Sequence, residues 1–526
     1  MSKANALKEH FAAVYKRNAP SSPIQASELP TPNCPTLNDV VFSPDIVRSK
    51  LSKLKPKLSL TPEGLPPLVY KRLAPALSEP LSILFTRSFE DGCVPDLFRK
   101  SIVTPVFKKC AKSDPKNYRP IAQSSIPCLI MEGIVSDHIS SFLESNGLND
   151  PNQHGFLKGR STLTQLIDVS HSWYLASNQR VPLHCVYFDF SSAFDVCDHQ
   201  ILLSKMTRLG IGDRLTRWVQ SYLQDRSFRV KVGNSLSASA LAPSGVPQGS
   251  RLGPQLFTIF CNDLKNLLNH DRVQYHLYAD DLKILTQVSS PNDRDQLQAT
   301  IHKIAGWASE NKMTISIPKC AVIKTVPCEA TYLIDDHLIP VVSSFRDLGV
   351  NFDADLKFRS HIVNVARSAG RVSNLIMRTF TLTEPSAYLS LYRSLVVPKF
   401  LYCSPVWSPA YQKDWALLNR VQSTFARRVA RRCNLPRHDI DLEPLDDLLS
   451  QADNHLAINL AARDKLCDHI SLEPNRLRTG LSARPPETAR TFLVNNSFAW
   501  RTCRRIQEND KLRTKLITLL NKRDLK

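Results

Sequence analysis

Acids are scarce relative to bases: 48 Asp and Glu stand against 68 Lys and Arg in 526 residues, a net charge of +20. With a pI near 9.4, a polyanion such as nucleic acid is the first partner to consider, beside the plainer reading of a basic soluble surface. No C-x-x-C pair occurs among the 13 cysteines, the closest being Cys320 and Cys328. That argues against a zinc knuckle and a disulfide framework, and fits reduced thiols of an intracellular protein of the cytoplasm or nucleus. The first twenty residues lack an apolar h-region, and no stretch reaches about 18 apolar residues, so neither secretion nor membrane contact is expected. No internal repeat is present. What remains is a chain 42% hydrophobic, long enough for about three domains.

The organising stretch is Tyr278-Ala279-Asp280-Asp281. Val273, Tyr275, Leu277 and Ala279 alternate with polar neighbours, and apolar Leu282 and Ile284 follow, so two short strands are predicted with the acid pair at the bend between them. An Asp-Asp at a turn is commonly structural, because Asp caps its own backbone. A second acid shifts the balance: the apolar run Leu183–Phe188 predicts a central strand that delivers Asp189 at its C-terminal end, 91 residues before Asp280. A carboxylate closing a buried strand is costly without a cation. Two converging carboxylates with no softer ligand nearby favour magnesium.

Five prolines between residues 20 and 35 predict a disordered lead-in over 1–40. Between Arg99 and Arg119 lie seven basic residues and one acid; a strand at Ile102–Phe107 and a turn at Ser113-Asp114-Pro115 make a basic hairpin able to lean over a triphosphate, or simply a solvated charged turn. Asp195 and the Asp198-His199 pair are either catalytic candidates or caps, and are read as capping a helix from about Gln200. Gly245, Gly249 and Gly253 frame Pro247-Gln248 ahead of a helix, a loop whose backbone suits close approach to a flat or anionic ligand. A strand is expected over Ile315–Ile323, with Lys319 on its surface beside an edge-strand proline. From His361 the pattern is helical; Arg427, Arg428, Arg431 and Arg432 fall on one helix face suited to a phosphate backbone. The last 26 residues carry nine bases and three acids, a tail or a further nucleic-acid contact.

Taken in order, NYRPI at Asn117, FDFSSAFD at Phe188, GVPQGSRLGP at Gly245, YADD at Tyr278 and LGV at Leu348 resemble the reverse transcriptase domain of non-LTR retrotransposons, most like the jockey and chicken-repeat branch, over about residues 40 to 440. The resemblance implies an α+β right-hand polymerase: fingers and palm over 41–355, with an antiparallel palm sheet packed on helices, a helical thumb over 356–450, and a basic helical extension over 451–526. It implies an RNA template, a DNA primer and dNTPs as partners, and two magnesium ions, or manganese, held by Asp189, Asp280, the backbone carbonyl of Phe190 and, in a supporting role, Asp281. It further implies that Lys108 or Lys109 with Arg119 holds the triphosphate, that Gln248 and Gly249 line the nascent base pair, and that Lys319 protonates pyrophosphate. Phe194 matches the aromatic that abuts the sugar 2′ position, which points to deoxynucleotides rather than to an RNA polymerase.

Two departures stand out. The family's G-P-D reads Thr61-Pro62-Glu63-Gly64 here, and Phe98 replaces a usual Trp. The residues before Val40 are too few for the family's upstream endonuclease, and with these departures a 5′-truncated or degenerate element copy is expected, an inactive relic that only binds nucleic acid being the alternative reading.

Overall fold

A four-stranded sheet organises the chain in the computed structural model, which describes residues 3–15, 35–59, 61–269, 273–463, 466–473, 482–484 and 497–521. Its strands are β1 (Leu183–Phe188), β2 (Gln274–Tyr278), β3 (Asp281–Gln287) and β4 (Ala321–Lys324), in the order β2-β3-β1-β4 with every pairing antiparallel. Every side chain of β1 is buried, as expected of an apolar run with a core on each face. Val186, Phe188, Leu282, Ile284 and Val322 enter one core, while Leu183, Cys185, Tyr187, Leu285 and Ile323 enter the other. Side chains alternate across the strands, so period two feeds two cores at once.

The first core holds the helix Ile126–Ser145, whose Ile130, Met131, Ile134, Val135 and Ile139 are fully buried. This helix is long and apolar enough to cross a membrane by length and composition, and 56% of its most apolar window is buried inside the protein. Its hydrophobicity therefore has a partner in the core. The second core is shared by the helices Thr162–Gln179, Arg359–Thr379, Gln412–Cys433, Leu445–Ala461 and Phe498–Glu508. The expected division at 450/451 thus falls inside the helix Leu445–Ala461. Buried Asp453 on that helix binds Arg501 and Arg505, so two of the C-terminal cations are engaged within the fold.

A second sheet pairs Lys100–Phe107 antiparallel with Tyr118–Gln123 and parallel with Ser227–Val232. The proline-rich lead-in expected over 1–40 is corrected here: Lys3–Val14 is a helix whose Leu7 and Phe11 pack on Val103, Phe228 and Val230, and Leu37 bridges to Ile211. Its apolar spacing gives it a face to bury. Residues 16–34 lie outside the described residues. The strand expected over Ile315–Ile323 is also corrected. Ile317–Lys319 is a 3-10 turn and the strand starts at Ala321, because Pro318 has no N–H to give a ladder.

Lys283 on β3 is buried against Asp347 of the hairpin Ser344–Asp347/Val350–Asp353, with Gln165 accepting at 3.1 Å. Breaking one partner of such a pair leaves a buried charge uncompensated. We expect Asp347→Ala to cost about 3–5 kcal/mol in urea denaturation and the double variant Lys283→Met/Asp347→Leu to recover most of that loss; equal losses in the two would refute the role given to the pair.

Candidate active site

β2 and β3 are joined by a two-residue loop, Ala279-Asp280, closed by the Tyr278–Asp281 pair. Ala279 has φ of +57°, a left-handed conformation that costs a residue with a Cβ about 1–2 kcal/mol. Neighbours must therefore hold it. Buried Gln153 does so: its Oε1 accepts the Ala279 N–H at 3.0 Å and the Gly155 N–H at 2.7 Å. The flanking backbone adds His154 N–H to Leu277 C=O at 2.7 Å and Leu277 N–H to Asn152 C=O at 2.9 Å. A Cβ on Gly155 would lie 2.4 Å from the Ala279 nitrogen, so only glycine fits there. The stretch Gln153-His154-Gly155-Phe156 is thus the brace of the acid turn.

Asp189 follows β1 by one residue. Phe188 pairs with Leu282, so the next rung brings Asp189 beside Asp281. Beyond it, Phe190 bridges Ile315 through Ser316 N–H to Asp189 C=O and Ser191 N–H to Thr314 C=O, both 2.8 Å. The Phe190 carbonyl takes no part in that bridge. Burial raises the pKa of Asp280, and the charge of Asp189 raises it further, against its own backbone N–H, Arg119 and Lys319. Asp281 opens to solvent on one side, yet packing around its carboxylate, then Asp280, Asp347 and Asp189, push it up to about 7, with Lys283 opposing. Crowded oxygens beside a carbonyl outside any ladder form a hard donor set, and divalent magnesium fits it better than a softer ion does.

The cations converge on the same place. Lys319 Nζ lies 3.0 Å from Asp189 Oδ2, so its turn carries it to the acids rather than along a sheet edge. Lys108, exposed at the loop end of the basic hairpin, has its pKa lowered by partial desolvation and then by Arg119 and Lys319, with Asp195 and Asp189 pulling the other way. Arg119, opposite Val106 on the hairpin, reaches Asp280 with its charge. Lys109 is exposed, and no contact ties it to the acids among the described residues.

Asp195 is the residue sequence reasoning misassigned. Asp198 does cap the helix His199–Arg208, accepting from Gln200 and Ile201 N–H, but Asp195 is buried and takes the Gln248 amide on both oxygens at 3.0 Å. Burial lifts it to about 6, against Gln248 and Lys108, with Asp280 adding to the rise. Gln248 is thereby oriented. Its carbonyl also accepts the Ala122 N–H at 2.7 Å, and a Cβ on Gly249, at φ +113°, would lie 2.3 Å from the Ala122 oxygen. Glu132, wholly buried, accepts from Arg251 N–H at 2.7 Å and Tyr222 hydroxyl at 2.8 Å, anchoring the far end of this loop. Phe194 stacks on Phe257 at 4.3 Å and meets Phe156 edge-on at 6.0 Å.

The four arginines do not share a fate. Arg432 donates to the carbonyls of Met377 and Phe380, and Arg428 to Asn374, so both turn toward the helix Arg359–Thr379. Arg427 and Arg431 stay exposed.

Residues 108–352 match the reverse transcriptase (RNA-dependent DNA polymerase) family. Curated relatives include the probable RNA-directed DNA polymerase from transposon BS of Drosophila melanogaster, 26% identical over 71% of this chain and 42% of the relative. Similar too are the RNA-directed DNA polymerases from mobile element jockey of D. melanogaster, 26% identical over 76% and 44%, and of Drosophila funebris, 25% identical over 81% and 48%. Residues 108–352 thus resemble a reverse transcriptase domain, and the curated relatives of the chain are RNA-directed DNA polymerases of mobile elements. It spans less than half the length of these relatives. Among solved structures, an apo telomerase from Candida tropicalis truncated from the C-terminal domain aligns at a TM-score of 0.34 and 11% identity, over 53% of this chain and 59% of that one.

A carboxylate raised in the folded state binds more protons than in the unfolded chain, so its contribution to stability is lost as pH rises from the unfolded value of about 4 toward 7. His154 and His276, lowered by burial to about 3 and about 4, slope the other way below about 6.5. Melting temperatures of magnesium-free wild type and Asp281→Asn, compared from pH 5 to 8, isolate the acid: the variant is expected to gain over wild type as pH rises. Parallel profiles would remove Asp281 from the repulsive cluster.

Proposed function

We propose that this chain is an RNA-directed DNA polymerase that extends the 3′-hydroxyl of a DNA primer on an RNA template from dNTPs. The observation that carries the reading is the meeting of Asp189 and Asp280 from adjacent strands, faced by Lys319, Lys108 and Arg119. In this reading the four-stranded sheet is the palm, the sheet around Lys100–Gln123 the fingers, and the helices from Arg359 the thumb, with Arg427 and Arg431 presented to the nucleic-acid backbone.

Asp189, Asp280 and the Phe190 carbonyl would hold two magnesium ions, manganese serving as a substitute, with Asp281 in support. Such ions, when bound, stabilise the attacking and leaving oxygens of an in-line displacement at phosphorus. The chain's own groups supply the rest. Arg119 presents a fork that matches phosphate oxygens, and Lys108 adds a point charge beside it. Gln248, fixed by Asp195, lines the nascent base pair next to Gly249, whose lack of a side chain lets the loop lie against Ala122. The Phe194 ring, wedged by Phe257 and Phe156, stands where a ribose 2′-hydroxyl would collide. Lys319, paired with Asp189 at 3.0 Å, donates the proton to departing pyrophosphate.

Primer extension on a primed RNA template with dNTPs and magnesium tests this. Asp280→Asn is expected to lose about 10³-fold or more, several kcal/mol of lost charge stabilisation. Extension by that variant at the wild-type rate overturns the reading. Phe194→Val is expected to raise incorporation of ribonucleotides relative to deoxynucleotides by about 10–100-fold in the same assay, a pocket effect of roughly 1–3 kcal/mol.

A further inference from the structure

Behind the acid turn lies a second cluster with different chemistry. A cavity of about 1290 Å³ opens between β2, the helix Thr162–Gln179 and the helix Leu445–Ala461, and His154, Asp168 and His276 meet at its wall. One ligand atom from each lies within 4.8 Å of the others. The three come from separate places: the brace segment, the second turn of the Thr162–Gln179 helix, and β2.

Their hydrogen bonds leave lone pairs facing inward. The Thr164 hydroxyl donates to the Ser161 carbonyl at 2.9 Å and accepts the Ser161 N–H at 2.9 Å. Its 2.9 Å contact with His154 Nδ1 therefore requires the ring to donate, which puts the proton on Nδ1 and a lone pair on Nε2. That Nε2 lies 3.3 Å from Asp168 Oδ2, an acceptor facing an acceptor, relieved among the described residues by Arg160 at 3.4 Å. His276 is 8% exposed, and among the described residues neither of its ring nitrogens has a hydrogen-bond partner. A buried polar side chain with both nitrogens unmatched is costly in a folded protein. Burial opposes protonating either imidazole, Asp168 favours it, and the charges of Arg160 and Lys283 add to the opposition. The second oxygen of Asp168 accepts from His469 Nε2 at 3.1 Å, the kind of outer partner that orients a ligating carboxylate.

We propose that His154, Asp168 and His276 bind one divalent transition-metal ion, zinc by the chemistry of the donors, with the cavity supplying water at the fourth position. Two imidazoles and a carboxylate with an open site are a zinc donor set. Bonds of about 2.0–2.2 Å imply ligand atoms about 3.4 Å apart, so the side chains draw together modestly from their present spacing. The site is distinct from the oxygen-only cluster on the acid turn. Its ion would tie the residue next to Gln153, and the strand entering the turn, to the helix Thr162–Gln179, and through His469 to the chain beyond the helix Leu445–Ala461.

The full chain, stripped with chelator and kept in excess magnesium to occupy the acid turn, should be titrated with cobalt(II). The visible d–d bands of a four-coordinate site are expected to saturate at about one equivalent and to disappear on addition of zinc. Asp168→Asn, whose carboxylate is partly exposed and whose replacement keeps the side-chain shape, should bind zinc at least about tenfold more weakly, and His469→Gln about tenfold. His276→Gln should abolish the bands, with circular dichroism of the metal-free variants matching wild type. Asp280→Asn should bind cobalt as wild type does. Absence of four-coordinate bands in wild type, wild-type zinc affinity in Asp168→Asn, or loss of the bands in Asp280→Asn would each overturn the assignment.

Discussion

The antiparallel register between β1 and β3 is the constraint on which the rest depends. With Phe188 opposite Leu282, the first acid leaves its strand at the turn that carries the other two. A slip of one residue would send Cys185 and Tyr187 into the wrong core and carry Asp189 to the opposite face. The register is protected because β1 is buried on both sides, so each misplacement removes apolar side chains from two cores at once. The geometry of the acids is thus secured by hydrophobic packing, while the acids themselves work against it.

That opposition explains why so much of the surrounding structure is buried and polar. Gln153 holds a turn that alanine disfavours, Asp195 fixes an amide on the far side of the cleft, and Glu132 pins the glycine-framed loop from the first core. Each is a polar group whose bonds are satisfied inside the protein, where a satisfied network rigidifies and an unsatisfied one is expensive. The cations Lys108 and Arg119 of the basic hairpin and Lys319 of a turn some 200 residues on face the same acids, so the site carries counter-charge of its own.

Much of this was legible in the sequence where one physical signal dominated. The apolar run Leu183–Phe188 and the alternation around Tyr278 gave strand limits that the structure reproduces, because periodicity reports directly on which faces are buried. Lys319 was misplaced because β propensity on both sides of Pro318 outweighed the missing N–H of the proline. Asp195 was read as a cap because its partner, Gln248, is 53 residues away. The helix Lys3–Val14 was overlooked since its apolar positions have value only against the second sheet. Among the arginines, helical spacing correctly put four on adjacent rows, but it does not tell which rows meet another helix. The histidine cluster left no local trace, its members being separated by up to 122 residues.

The contact between Gly249 and Ala122 has a mechanical consequence. Backbone is packed on backbone there, with the Ala122 N–H bonded to the Gln248 carbonyl, so the base of the basic hairpin and the glycine-framed loop form a single rigid body. No hinge fits between them. Under the proposed polymerase reading, any swing that brings Lys108 and Arg119 down on an incoming nucleotide must either flex the outer half of the hairpin, beyond Thr104 and Ile121, or drag Gln248 along with it, coupling the grip on the phosphates to the fit of the base.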